Sequence, residues 1–234
     1  VMPEIPDFEH NGITIETTAP PSPMGPPGPN VVCVVGTAPN LATAAQGKKY
    51  LRIANAADHA LIDSTGAEAG SIIQLLKKTH QKTSVVIYAI VVASGADLAA
   101  TTAAVIGGVS GSDRTGIAAM TELPERPTII CAPGVSHQKP VIDALASMGK
   151  RLRARVVCDG PSTDTAAALA LSASLGGEGT GHDRCIVVDP AVDIYSVAAQ
   201  GVVSVPGSVV AVGAMASVKA WESPQNQGVL IEDT

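Results

Sequence analysis

Two aspartates stand where an α/β protein keeps its chemistry. Asp159 in CDGP and Asp189 in VDPA each follow a short apolar run that reads as a parallel strand. The carboxyl ends of such strands are where open α/β sheets place ligands and catalytic groups. Two carboxylates there could hold a divalent cation, so a metal-dependent α/β hydrolase is one reading. The other is turn chemistry, because an aspartate before Gly-Pro or Pro bonds nearby backbone N–H groups. Ser136 beside His137 suggests a nucleophile and base, but neighbours at a helix start diverge by about 100°. No G-x-S-x-G turn accompanies them. VVGTAPN, after the first strand, lacks both G-x-G-x-x-G and the phosphate loop, so a nucleotide cofactor is not expected.

His182 and Asp183 sit in the Gly-rich stretch GEGTGHDRC and read as loop residues, with metal binding as the alternative. His10, His59 and His80 show no ligand spacing. Cys33, Cys131, Cys158 and Cys185 are scattered without a CxxC pair, each within an apolar run: VVCVVG, TIICAP, RVVCDG and RCIVVD. Thiols buried on neighbouring strands account for this, since Cys packs as a small hydrophobe. A zinc site would need ligands converging at one end of the sheet, and the spacing does not demand that. No metal, cofactor or catalytic set is expected.

The elements that must position these residues follow from composition and periodicity. A chain of 234 residues can bury a real core. Apolar residues make up 46% and aromatics only 2%, so Ala, Val, Ile and Leu must pack closely, with Phe8 and Trp221 as isolated anchors. A net charge of -6 argues against a nucleic-acid groove. No apolar run reaches membrane-spanning length, and the start of the chain lacks a signal-peptide pattern, so a cytoplasmic chain without membrane insertion is expected.

From Val31 onward, continuous apolar runs alternate with helical patterns. VVCVVGT, TSVVIYAIVV, TIICAP, ARVVCD and CIVVD are the runs. Helices are expected near residues 70–80, in two stretches between 96 and 121, and near 137–150, 163–175 and 206–219. Continuous rather than alternating apolar strands mark a mostly parallel sheet covered on both faces, hence a three-layer α/β body over 31–234. In the helix after Ser136, the apolar residues Val141, Leu145, Met148 and Leu152 make one stripe. Ser136 reads as its N-cap and Pro140 falls in the first turn. Lys150, Arg151, Arg153 and Arg155 cluster at its end, either as a solvated face that complements the helix dipole or as an intersubunit charge patch.

Residues 1–30 differ in kind. TAPPSPMGPPGPN, residues 18–30, is too rich in Pro and Gly for helix or central strand and reads as an extended linker. Before it, GITIET alternates Ile13 and Ile15 with Thr14 and Glu16, a short strand with no sequence neighbour to pair with. Such a strand tends to join the edge of a neighbouring sheet. Repeated head to tail, that contact makes a ring or a helix.

The segment HNGITIETTAPPSPMGPPGPNVVCVVGTAPN resembles the start of contractile phage tail sheath proteins of the P2-like and R-type pyocin-like kind. Three later segments agree in order and spacing: PTIICAPGVSHQKPVIDALASMGKRLRARVVCDGPS, CIVVDPAVDIY and VPGSVVAVGAMASVKAWESPQNQ. The resemblance implies a structural subunit, not an enzyme, that polymerises around an inner tube and contracts to drive it through a cell envelope. It also implies contacts with neighbouring sheath subunits, the tail tube, the baseplate and the tail terminator, and a place in a virion tail assembled in the host bacterial cytoplasm. The arm role falls on Ile13 and Ile15. Sheath proteins of this kind continue past the W-x-S-P-x-N segment, so a further C-terminal domain is expected to be missing from this chain.

Overall fold

The computed structural model describes residues 30–176 and 181–219. The arm and linker (1–29), with Phe8 and the strand residues Ile13, Thr14, Ile15 and Glu16, lie outside the described residues, as does Trp221.

The chain order is β1 (Val31–Thr37), β2 (Leu51–Ile53), α1 (His59–Ile62), α2 (Ile73–Lys82), β3 (Val86–Val92), α3 (Leu98–Ile106), β4 (Val109–Ser110), β5 (Asp113–Arg114), a 3-10 turn (Gly116–Glu122) and β6 (Ile129–Cys131). It continues with α4 (Lys139–Leu152), β7 (Arg155–Asp159), α5 (Thr165–Leu175), β8 (Cys185–Val188), β9 (Val192–Ser196), β10 (Gly201–Val205) and α6 (Gly207–Ser217). Six strands form one sheet in the order β2-β3-β1-β6-β7-β8, parallel throughout except where β2 meets β3. The order reverses between β1 and β6, which makes the body doubly wound.

β1 is central because it can be: six of its seven residues are buried and none is charged, which suits a strand covered on both faces. One face carries α2 and α6, packed through Val32, Val34, Ile72, Leu75, Leu76, Val209 and Val212. The other carries α3, α4 and α5, through Cys33, Val35, Val105, Val141, Leu145 and Leu175. The core is aliphatic as composition required. Tyr88 is its largest fully buried side chain, in edge contact with Tyr50 at 5.9 Å between ring centroids.

Helix ends follow local rules. Asp97 and Asp164 cap α3 and α5 by accepting from Ala100 N and Ala167 N, each at 2.7 Å. In α4, Val141 and Leu145 are buried, Met148 and Leu152 pack against them, and Pro140 sits in the first turn. Gly149 is required where α4 crosses β7, since a Cβ there would lie 2.4 Å from Val156 Cγ2. Arg153 ends the helix in the left-handed region, φ 52°.

One expectation needs correction. Ser136 does not cap α4: Gln138 occupies that position without a side-chain bond, because the Ser136 hydroxyl is drawn to Asp159. The second helical stretch expected before residue 121 is a 3-10 helix, Gly116–Glu122, reached through the β4–β5 hairpin. The segment after Asp189, for which the sequence reading named no element, forms the β9–β10 hairpin. Its alternation of Val192, Asp193 and Ile194, with Gly201 opening the second strand opposite Ser196, was the available signal.

Candidate functional site

Asp159 ends β7 at the carboxyl end of the sheet and is 3% exposed. Its Oδ2 accepts from Gly134 N at 3.0 Å and from Ser136 Oγ at 2.8 Å, and its Oδ1 accepts from Ser208 N at 2.9 Å. Asp159 N in turn donates to Ser136 Oγ at 2.9 Å. One carboxylate thereby joins the loop after β6, the end of β7 and the first turn of α6, where a negative charge also meets the positive end of the helix dipole. Asp189 is exposed and follows the next strand, where its Oδ1 accepts from Ser162 N at 2.7 Å. It packs so closely on Gly160 that a Cβ there would lie 2.3 Å from Oδ1.

Both aspartates therefore do turn and capping work. They stand on neighbouring strands, but Asp159 spends its lone pairs on three donors, and the catalytic hydrolase reading is dropped. Among the described residues no group of three His, Cys, Asp or Glu could hold a metal ion. Ser136 faces Asp159 rather than His137. His182 reaches Asp143 on α4 at 2.8 Å, so it ties its loop to the body.

The four thiols lie where the apolar runs put them, on the adjacent strands β1, β6, β7 and β8, and all four are free. Burial raises the thiol pKa of Cys33 and Cys131, keeping them protonated.

The structure gathers the predicted cationic residues at the opposite end of the sheet. Lys150 and Arg151 are exposed in the last turn of α4, Arg153 is exposed just beyond it, and Arg155 starts β7 half-buried. Desolvation lowers the Arg155 pKa, and its Nη2 has no hydrogen-bond partner. Arg126, which sequence reading missed, joins the group by donating from Nε to Leu152 O.

Two polar clusters had no sequence signal. His59 on α1 and His80 on α2 are 21 positions apart, yet their ring nitrogens meet at 2.8 Å, and His80 Nε2 lies 2.9 Å from Val85 O. Burial, then the His80 and Lys77 charges, lower the His59 pKa to about 4. Glu68 is the second centre, bonded by Lys77, Gln74 and Ser196. Burial works against its charged form, but these partners prevail and its pKa falls below the usual range. Ser196 belongs to β9, so this carboxylate pins the hairpin to α2.

No family model matches the chain. A protein named as a prophage major tail sheath protein in Pseudomonas aeruginosa (strain UCBPP-PA14) is 34% identical over 154 residues, 60% of this chain and 39% of the relative. The anti-feeding prophage helical sheath in its contracted state shares the fold with a TM-score of 0.55 and 19% identity, over 91% of this chain and 53% of that one. The baseplate of the same particle, also contracted, gives 0.57 and 13% identity, over 93% and 58%. The chain thus spans about two fifths of the curated relative it matches and somewhat more than half of each solved chain. The resemblance read from the motifs is borne out: this chain is a homologue of a tail sheath protein over three fifths of its length, and its α/β body has the fold of the contracted anti-feeding prophage sheath.

Proposed function

We propose that this chain is a structural subunit of a contractile tail sheath, which polymerises around an inner tube and contracts to drive that tube through a cell envelope. The 34% identity to a tail sheath protein carries this reading. The polar network supports it, because the best-placed carboxylate, Asp159, is consumed in holding three loops together. Residues 1–30 serve as arm and linker, and Ile13, Thr14, Ile15 and Glu16 form the strand added to a neighbouring subunit. Residues 31–234 belong to the body. Lys150, Arg151, Arg153 and Arg155 form an intersubunit charge patch facing an acidic surface of the next copy, which the net charge of -6 makes available.

The partners are neighbouring sheath subunits, the inner tube, the baseplate and the tail terminator, in a virion tail assembled in the host bacterial cytoplasm. Contraction needs no bound nucleotide: energy stored in the extended polymer is released as rigid bodies repack around flexible linkers. Negative-stain electron microscopy of the full natural chain tests the reading. Tubes of two lengths, long and thin or short and wide, are expected; monodisperse particles under every condition would overturn it. Deleting several residues from 18–30 should then leave the long form and abolish the short one.

A further inference from the structure

Exposed charges that make no ion pair are sorted between the two ends of the sheet. Because β1, β3, β6, β7 and β8 run parallel, they share one amino end and one carboxyl end. Arg126 stands before β6, Lys150, Arg151 and Arg153 close α4, and Arg184 stands before β8, which places them all at the amino end. Each is exposed, and among the described residues none has a carboxylate within ion-pair distance. Arg155 starts β7 in their midst, with its buried Nη2 unbonded. The carboxyl end is the reverse. Asp97 follows β3, Asp164 follows β7, Asp189 follows β8, and Asp193 lies in β9 just beyond. All are exposed, and none meets a cation among the described residues. Lys48, beside the carboxyl ends of β1 and β3, and Asp183, before β8, are the exposed exceptions.

Helix dipoles account for part of this sorting. Lys150 and Arg151 complement the last turn of α4, and Asp97 and Asp164 cap α3 and α5. The dipole acts only within a terminal turn, so it does not explain Arg126 and Arg184, which precede strands, or Asp189 and Asp193, which follow one. The unbonded Arg155 nitrogen also calls for an acceptor.

Resting on the sheath reading, we propose that the bodies of successive copies stack end to end, the cations at the amino end of one against Asp164, Asp189 and Asp193 of the next. The cations surround the starts of β6, β7 and β8, and these aspartates follow β7 and β8, so a shift along the strand direction brings the two surfaces together. The surfaces differ, so the contact repeats head to tail and stays open. Being charged and hydrated, it can part without uncovering apolar area, which suits a lattice that rearranges.

Charge-swap complementation on the full natural chain tests this by analytical ultracentrifugation. Lys150→Glu with Arg151→Glu makes the basic end acidic. Thr163→Lys with Asp193→Lys makes the acidic end basic and leaves the Asp164 cap and the Asp189 bond in place. These positions are exposed, and circular dichroism should be unaltered. Each variant alone should self-associate about tenfold or more weakly than the parent. An equimolar mixture should regain the parental association, because each altered end then meets its complement. Salt raised from about 0.05 to 0.5 M should weaken parent and mixture alike. Lys48→Glu, a reversal at the acidic end, should not weaken association. Parental association in both variants, no recovery on mixing, or an equal loss from Lys48→Glu would overturn the proposal, as would a parent chain that stays monomeric at low salt. The sheath reading fails separately. Two-length tubes from either variant alone would remove this contact and keep the sheath, whereas salt-sensitive association of the parent without tubes would keep the contact and remove the sheath.

Discussion

The carboxyl end of β7 and the outer edge of β8 lie one strand apart and are finished in opposite ways. At Asp159 each carboxylate oxygen has a donor and the side chain is buried. At β8, apolar side chains and main-chain groups face outward, and the following hairpin adds the cross-strand pair Tyr195 and Val202, 43% and 67% exposed. Among the described residues, the place where an α/β enzyme keeps its chemistry is closed, and the outer edge of β8 has no paired strand. That inversion is what the proposed role as an assembly subunit calls for.

Asp159→Ala should have the largest effect on folding. It leaves Gly134 N, Ser208 N and the Ser136 hydroxyl without their acceptor, at a cost of about 3–5 kcal/mol, read from urea midpoints. Asp159→Asn, which keeps one acceptor oxygen, should cost less. Gly149→Ala forces a Cβ against Val156 and should cost about 1–3 kcal/mol by overpacking. A smaller loss from Asp159→Ala than from Gly149→Ala would break the contrast drawn here.

Acid should weaken the closed regions. His59 is held neutral in the fold down to a pKa of about 4 against an ordinary 6.5. The unfolded chain therefore binds the extra proton first, and stability drops as pH falls from 6.5 towards 4, by about 1–2 kcal/mol after allowance for partial exposure. His59→Phe should flatten thermal melting across that window. Glu68, and Asp63 after α1, which burial opposes but bonds from Glu68 N, Asn40 and Thr65 hold ionised, both lie below their ordinary values and contribute stability above those values that is lost as pH falls further. Val187→Lys, at a residue 38% exposed, should be the mildest change, within about 0.5 kcal/mol of the parent in stability.

Much of the body was legible because its strands are continuous apolar runs and α4 carries one apolar stripe. β1, β3, β6, β7 and β8 follow from their apolar runs, the helices from the stretches between them, and the four cysteines mark neighbouring strands. β2 was not legible: Leu51–Ile53 is too short to show a period and is fixed by pairing with β3. The hairpin was missed because the resemblance read CIVVDPAVDIY as one segment. Asp159 was legible as a position and ambiguous as chemistry, since a carboxylate at a strand end serves a metal or a cap equally well until its donors are known. The His59–His80 and Glu68–Ser196 contacts join residues 21 and 128 positions apart and left no local trace.

Amide hydrogen exchange on the full natural chain, compared between its dispersed and assembled forms, tests the central claim most directly. The account predicts new protection at Val187 and Asp189, and unchanged, already slow exchange at the amides of Gly134, Asp159 and Ser208. Assembly that protects the Asp159 network and leaves β8 exchanging freely would contradict it.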